Sequence, residues 1–140
     1  MPFRTINRNT CLPVLLLVIL LLPFSRGVFA DENVPKALFL YAEKDKLVAS
    51  NTVTGQFFDL DFGAKERVED KFVANAVAIV VTSRRFAGIG TFSGGWQSIR
   101  RIASEKFISA EVQDYSALLV TSDRLLSFYG RTGSWSERKR

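Results

Sequence analysis

The chain has 140 residues, 47% of them hydrophobic, with 19 basic and 14 acidic side chains and a formal net charge of +5. It contains no His, one Cys and one Met. Because His and Cys are the common ligands of zinc, copper and haem iron, this composition argues against those metal sites and against thiol chemistry. We therefore expect no cofactor.

The segment from Met1 to Ala30 has the pattern of a cleavable, Sec-type secretory signal peptide. Arg4 and Arg8 give a positively charged start, and Leu12 to Leu22 form an apolar run that is too short to span a bilayer comfortably. The small residues that end at Ala30 suit signal peptidase, so cleavage is predicted after Ala30. Cys11 precedes the apolar run, so the segment contains no lipobox and predicts no lipid anchor.

Processing changes the charge that matters for function. Arg4, Arg8 and Arg26 leave with the signal peptide, which leaves 16 basic against 14 acidic residues, a net charge of +2. We therefore predict a single periplasmic or secreted domain over residues 31–140, with no membrane span and with no nucleic acid as its partner. An uncleaved membrane anchor is the alternative, because Arg26 lies where a cleavage region is usually uncharged.

An internal repeat is the most informative feature of residues 31–140. The segment from Ala78 to Arg101 aligns without gaps with Ala117 to Arg140, with eight identities in 24 positions, and a fainter copy lies upstream. We call the separation of Ala78 and Ala117 the repeat interval; such periods indicate repeated supersecondary units. The approximate copies are 36–72, 73–111 and 112–140. The signature positions are a basic residue (Lys46, Arg85, Arg124), a glycine (Gly55, Gly94, Gly133) and an aromatic ring (Phe57, Trp96, Trp135).

Each copy predicts a run of antiparallel strands, so the fold class is all-β with 3–4 strands in each repeat of about 39 residues. First strands are expected at Ala37 to Tyr41, Val77 to Val81 and Ala117 to Val120, second strands from Leu47, Phe86 and Leu125, and third strands from the three aromatic positions. Leading strands are expected at Lys71 to Ala76 and Lys106 to Val112, and one long loop at Asp61 to Asp70. We predict no helix in residues 31–140.

The string ALLVTSDRLLSFYGRTGSW, from Ala117 to Trp135, resembles a blade of the quinoprotein-like β-propellers. The resemblance covers three copies and implies a propeller-blade-like arrangement that serves as a scaffold or binding platform. It does not extend to enzymatic activity, because no quinone-binding residues are located in this sequence. Propellers close with about four to eight blades, so three copies require a partner, and a homodimer would complete a six-bladed ring.

Two other folds suit parts of the same pattern. Three repeats of this length also fit a β-trefoil, which closes as a monomer. The strings VTSRR and VTSDR resemble strands of a small β-barrel of the bacterial pleckstrin-homology type. Both remain alternatives to the blade-like arrangement.

Candidate chemical groups are few. Asp59 and Asp61 alternate on a predicted strand, so both carboxylates face one side and could hold Ca²⁺ or act as an acid and base pair. The remaining ligands of a calcium loop are missing, which favours a solvated strand end. Glu111 is a third candidate carboxylate for glycan hydrolysis.

The remaining motifs have structural interpretations. Trp96 and Trp135 recur at the repeat interval and are expected to pack between repeats. The basic signature residues are expected at strand starts, paired with Asp45 or Asp123. Turn geometry is the expected role of the glycines Gly88, Gly90, Gly94 and Gly95, and the basic clusters Arg84-Arg85, Arg100-Arg101 and Arg138-Lys139-Arg140 suggest a surface for an anionic partner.

The function favoured by these features is an exported, non-enzymatic binding or scaffold module that engages a protein or a glycan, with a second copy of the chain as a further partner. The repeat and the lack of a motif for nucleophilic catalysis support it. The alternative is a carboxylate-dependent glycan hydrolase.

Overall fold

Short runs of β-branched and aromatic residues, separated by polar turns, form every regular element of the computed structural model, which describes residues 34–140. The predicted signal peptide and its cleavage after Ala30 lie outside the described residues. The strands are β1 (Leu38–Ala42), β2 (Lys46–Asn51), β3 (Gln56–Asp61), β4 (Val68–Val73), β5 (Val77–Thr82), β6 (Arg85–Gly90), β7 (Gln97–Arg100), β8 (Phe107–Val112), β9 (Ser116–Thr121), β10 (Arg124–Tyr129) and β11 (Ser134–Lys139).

The strands form three separate antiparallel sheets in which sequence neighbours pair. Sheet 1 contains β1 to β3, sheet 2 contains β4 to β7, and sheet 3 contains β8 to β11. No helix occurs within residues 34–140. The prediction of an all-β fold with three repeats of three or four antiparallel strands is confirmed.

Every hydrogen-bonded strand pair in the described part of the chain lies within one sheet. The strands therefore close into no barrel across the sheets. A β-trefoil and a small barrel both require strand pairing between the repeats, so neither alternative describes these residues.

Sheet 2 lies between the other two sheets. All six residues of β5 are buried because alternate side chains face opposite neighbours. Ala78 and Val80 pack towards sheet 1, whereas Val77, Ile79 and Val81 pack towards sheet 3. These two interfaces contain the main apolar core. Burial of each Val, Leu, Ile or Phe side chain there contributes about 1.5–3 kcal/mol to folding.

Two glycines of β6 have a role that differs from the prediction. A Cβ on Gly88 would lie 2.9 Å from the ring of Phe128, and one on Gly90 would lie 1.8 Å from the carbonyl oxygen of Gly130. The turn interpretation was therefore wrong for Gly88 and Gly90, because both lie in a strand and allow sheet 3 to approach closely. Gly94 does lie in a turn, with a φ of 73°.

The leading strands extend the sheets beyond the predicted boundaries. β4 begins at Val68, so the predicted long loop from Asp61 to Asp70 is confined to residues 62–67. β4 pairs with β5 and β8 pairs with β9, so the sheets cover 38–61, 68–100 and 107–139, whereas the predicted copies divided the chain at 72 and 111. Both leading strands lie at sheet edges, where charged side chains are tolerated. None of the described residues forms a helix long and apolar enough to cross a membrane.

Candidate functional site

The two tryptophans make the same contact in successive sheets. Trp96 lies directly before β7 and donates its indole N–H to the carbonyl oxygen of Phe58 in sheet 1, at 3.0 Å. Trp135, in β11, donates in the same way to the carbonyl oxygen of Gln97 in sheet 2, also at 3.0 Å. The two acceptors are themselves separated by the repeat interval. Each tryptophan therefore ties its own sheet to the preceding one.

An arginine and a glutamate strengthen the contact between sheets 2 and 3. Arg124 Nε donates to Glu105 Oε1 at 2.9 Å, and Thr121 Oγ1 donates to the same oxygen at 2.7 Å. Glu105 Oε2 accepts the backbone N–H of Ile102 at 2.9 Å. Arg124 Nη2 donates to the carbonyl oxygen of Arg100, at the end of β7, at 2.7 Å. We refer to the contacts of Trp135, Arg124, Glu105 and Thr121 as the second joint.

The contact between sheets 1 and 2 repeats these bonds. Arg85 Nε donates to Glu66 Oε1 at 2.9 Å, and Thr82 Oγ1 donates to the same oxygen at 2.7 Å. Glu66 Oε2 accepts the backbone N–H of Gly63 at 2.8 Å, and Arg85 Nη2 donates to the carbonyl oxygen of Asp61. Every partner lies one repeat interval before its counterpart in the second joint. The contacts of Trp96, Arg85, Glu66 and Thr82 form the first joint.

The two glutamates also fix the loops that precede them. Lys65 and Ser104, each directly before a glutamate, have φ values of 62° and 67°. This left-handed region costs residues other than glycine roughly 1–2 kcal/mol. The backbone N–H of Glu66 donates to Gly63 at 2.9 Å, and that of Glu105 donates to Ile102 at 3.1 Å. The bonds between glutamate and loop compensate for this strain at both joints.

Both glutamate carboxyls are ionised at neutral pH. Burial raises the pKa of Glu105, but hydrogen bonds from Arg124, the Ile102 N–H and Thr121 outweigh burial and hold the pKa below its ordinary value. Burial likewise raises the pKa of Glu66, and donation from the Gly63 backbone, Thr82 and Arg85 lowers it further than burial raises it. Each joint therefore contains a true ion pair.

The glutamate and threonine partners were absent from the predicted site residues. The sequence did contain a signal for them, because Glu66 and Glu105 are identical residues separated by the repeat interval. The aligned segment began at Ala78, after Glu66. The predicted pairing of the basic signature residues with Asp45 or Asp123 was wrong, since Arg85 pairs with Glu66, and Arg124 pairs with Glu105 and Glu137.

Lys46, the basic signature residue of sheet 1, makes a different contact. Its Nζ lies 2.7 Å from Asp59 and 3.6 Å from Glu43, both within sheet 1 or its first turn. The hydrogen bond to Asp59 is the main cause that raises the pKa of Lys46. All three side chains are partly or largely exposed. Because Lys46, Asp59 and Glu43 belong to sheet 1 or its first turn, their ion pairs connect parts of one sheet and do not connect two sheets.

Sheet 1 has an exposed aromatic face. Phe57 has the third aromatic signature position and is 72% exposed, and Phe39 and Tyr41 are also exposed. With Val48 and Ser50 these residues line a shallow cavity of about 510 Å³, and we call the five together the open face of sheet 1. The corresponding positions of sheet 2 are buried or half-buried against sheet 1, and they are Ala78, Val80, Ala87, Ile89 and Trp96.

The three glycine signature residues each lie in the turn before the last strand of a sheet. Gly55, Gly94 and Gly133 have φ values of 68°, 73° and 69°. Glycine adopts this conformation without steric cost. These residues shape the turns and contribute no chemical group.

The three candidate carboxylates are divided between two sheets. Asp59 and Asp61 lie on β3, and the Asp59 carboxylate forms an ion pair with Lys46. Glu111 lies on β8 in sheet 3, with sheet 2 between it and the aspartates. Residues 34–140 contain no group of three or more His, Cys, Asp or Glu side chains that could hold a metal ion.

Comparison with known proteins adds no relative. No protein-family model matches this chain, and no curated protein sequence matches it. The resemblance to quinoprotein-like blades therefore stays a prediction.

Proposed function

We propose that this chain is an exported, non-enzymatic binding or scaffold module whose sheets stack like propeller blades and whose first partner is a second copy of itself. The open face of sheet 1 carries the proposal. It has exposed aromatic side chains at positions whose counterparts in the other two sheets are buried or half-buried. Contiguous exposed apolar patches on soluble domains mark interaction surfaces.

The open face has the composition of a packing surface. At its position in sheet 1, Phe39 corresponds to Ala78 and Ala117, which are both buried between sheets. Ser50 corresponds to the buried Ile89 and Phe128. The larger apolar side chain therefore lies on β1 in sheet 1 and on the following strand, β6 or β10, in sheets 2 and 3. The total apolar bulk of the open face resembles that of the faces buried between the sheets. Among residues 34–140, Lys36 Nζ lies 4.7 Å from the centre of the Phe39 ring, whereas Tyr41 and Phe57 stay 69% and 72% exposed.

The outer face of sheet 3 supplies the matching surface. Leu118, Val120 and Leu125 lie on this face at the positions where Ile79, Val81 and Phe86 of sheet 2 contact sheet 3. Sheet 3 of one copy would therefore meet sheet 1 of another copy through the same type of face that sheet 2 uses. This continuity with the two existing joints favours a second copy over an unrelated partner.

Two such contacts, related by a twofold axis, would join two chains into a ring of six sheets. Phe57 and Lys46 replace tryptophan and arginine at the new contacts, so apolar packing would supply most of the binding energy. A closed ring removes both unpartnered faces and offers an extended surface for a protein or glycan ligand. That role agrees with the function implied by the blade resemblance.

The glycan hydrolase alternative has no supporting contact in the described residues. Asp59 is bound to Lys46, and Glu111 lies in another sheet. A catalytic pair places its two carboxyl groups roughly 5–10 Å apart across one sugar bond. Asp59 and Asp61 are neighbours on β3, but Lys46 already occupies the Asp59 carboxylate. We therefore retain the binding module as the proposed function.

Light scattering on the protein produced from its full coding sequence tests the proposal. We expect a dimer, and we expect Phe57→Ser to raise its dissociation constant roughly 100-fold, because the ring would be lost from two equivalent contacts. Phe92→Ser is the matched control. Phe92 is 61% exposed but lies in the turn between β6 and β7, away from the open face, so its removal should leave the dimer unchanged.

Two results would contradict self-pairing. A wild-type protein that stays monomeric at every concentration would show that something else covers the open face, with residues 1–33 as the first candidate if they are retained. Equal weakening by Phe57→Ser and Phe92→Ser would show non-specific association in place of a defined interface.

A further inference from the structure

A cleft rich in arginine lies at one end of sheet 2. The turn between β5 and β6, the end of β7 and the linker to β8 surround a volume of about 830 Å³. Small-molecule sites typically enclose about 300–1,000 Å³. The charged residues that line the cleft are Arg67, Arg84, Arg100, Arg101, Glu69 and Glu105.

Both glutamates of the cleft are already engaged. Glu105 pairs with Arg124 in the second joint, and Glu69 Oε2 lies 2.6 Å from Arg101 Nη1. The other three arginines have no carboxylate within 4.0 Å among residues 34–140, and all three are exposed; they are Arg67, Arg84 and Arg100. Three guanidinium groups around one cleft repel each other, so an anion between them would relieve that repulsion.

Hydrogen bonds hold the backbone that carries these arginines in place. Arg101 donates from its side chain to the carbonyl oxygens of Thr82, at 2.8 Å, and Glu105, at 2.7 Å. Its backbone N–H donates to the carbonyl oxygen of Arg84 at 3.0 Å. The backbone N–H of Arg67 donates to Ser83 Oγ at 3.2 Å. The guanidinium groups therefore extend from fixed backbone positions.

The repeat shows that the fold does not require arginine at these positions. Arg84 corresponds to Asp45 in sheet 1 and Asp123 in sheet 3, so the other two copies have the opposite charge. Arg100 corresponds to Asp61 in sheet 1. In sheet 3 the counterparts of Arg100 and Arg67 are the basic residues Lys139 and Lys106. At the Arg84 position both other sheets form the same turn with aspartate, so Arg84 serves something other than folding.

We propose that this cleft binds an oxyanion, a phosphate or sulfate group, through Arg67, Arg84 and Arg100. Guanidinium groups bind such groups with two parallel hydrogen bonds, which gives direction as well as charge. The site lies at the end of sheet 2 and does not involve the open face of sheet 1. It is therefore independent of the proposed self-pairing.

Calorimetric titration of the protein produced from its full coding sequence tests this site at physiological ionic strength. The probes are inorganic pyrophosphate, a sulfated heparin disaccharide, and vesicles of phosphatidylglycerol with phosphatidylcholine. We expect Arg84→Gln and Arg100→Gln each to weaken binding about tenfold, the loss expected for a charged hydrogen bond. Arg131→Gln is the matched control, because Arg131 is an exposed arginine in the turn between β10 and β11, at the other end of the strands.

Arg84→Asp gives the sharpest result, because it installs the residue found at both equivalent positions. We expect it to abolish binding without lowering the melting temperature. Binding of the small probes would identify a free ligand, and binding of the vesicles alone would identify a lipid headgroup; both support the oxyanion site. Failure of the wild type to bind any probe, or an equal loss in Arg131→Gln, would overturn it.

Discussion

The first and second joints contain the same bonds but differ in their access to water. The Arg85 side chain of the first joint is 28% exposed, whereas that of Arg124 in the second joint is 8% exposed. Arg124 also contacts Glu137, whereas the corresponding residue in sheet 2 is Ser98, which cannot form an ion pair. The comparison teaches that a repeated hydrogen-bond pattern does not imply a repeated energy, because the surroundings decide how strongly each charge depends on its partner.

Replacement of the glutamate should show the largest difference in stability between the two joints. Glu105→Gln leaves a buried guanidinium whose one remaining carboxylate partner among the described residues is the exposed Glu137, and we expect a loss of about 3 kcal/mol in the free energy of unfolding. Glu66→Gln should cost only about 1–2 kcal/mol, because water reaches Arg85. Urea unfolding of both variants measures the difference, and equal losses would show that burial does not distinguish the joints.

Low pH should weaken both joints together. The resulting loss in the free energy of unfolding should be smaller than the loss caused by replacing a glutamate. The folded pKa of Glu66 and Glu105 lies below the ordinary value of 4.5, so the unfolded chain binds protons first as the pH falls. Their contribution to stability is therefore fully present above pH 4.5 and is lost as the pH falls through the folded pKa values.

The melting temperature between pH 7 and pH 3 measures this effect. We expect the double variant Glu66→Gln/Glu105→Gln to show a smaller fall below pH 4.5 than the wild type. Glu111→Gln is the control, because Glu111 is exposed on β8 and contacts no arginine among the described residues. A double variant with an unchanged acid response would exclude these two carboxyls as its source.

The tryptophan contacts should show the smallest difference. Trp96→Phe and Trp135→Phe each remove one indole N–H bond of 3.0 Å and retain an aromatic ring, so we expect a loss of about 1 kcal/mol from each. Phenylalanine already occupies the corresponding position, Phe57, in sheet 1. Thermal unfolding of the two variants side by side provides the measurement. No change in either would show that the rings act by packing alone.

The sequence predicted the central strands well, for a physical reason. β5 is buried on both faces, so nearly all its residues must be apolar, and the run from Val77 to Val81 is visible without a structure. The start of β4, Val68 to Asp70, was missed because β4 lies at a sheet edge and Glu69 and Asp70 are exposed there. Their charged side chains are typical of a loop.

The joints were only half visible in the sequence. The repeat identified Arg85 and Arg124, but their partners lie 19 residues earlier in the chain, and only the folded loops bring the two together. The adjacent aspartates offered a simpler, incorrect pairing. Gly88 and Gly90 were misinterpreted for a similar reason, since the contact that requires glycine comes from Phe128 and Gly130 in the next sheet.

The double burial of β5 also determines how the domain tolerates cleavage. A fragment that ended before sheet 3 would leave Val77, Ile79 and Val81 facing solvent as a continuous apolar strip, and one that began after sheet 1 would do the same for Ala78 and Val80. Such strips promote aggregation and proteolysis. Nicked chains should therefore be degraded completely, and no shorter stable product should accumulate.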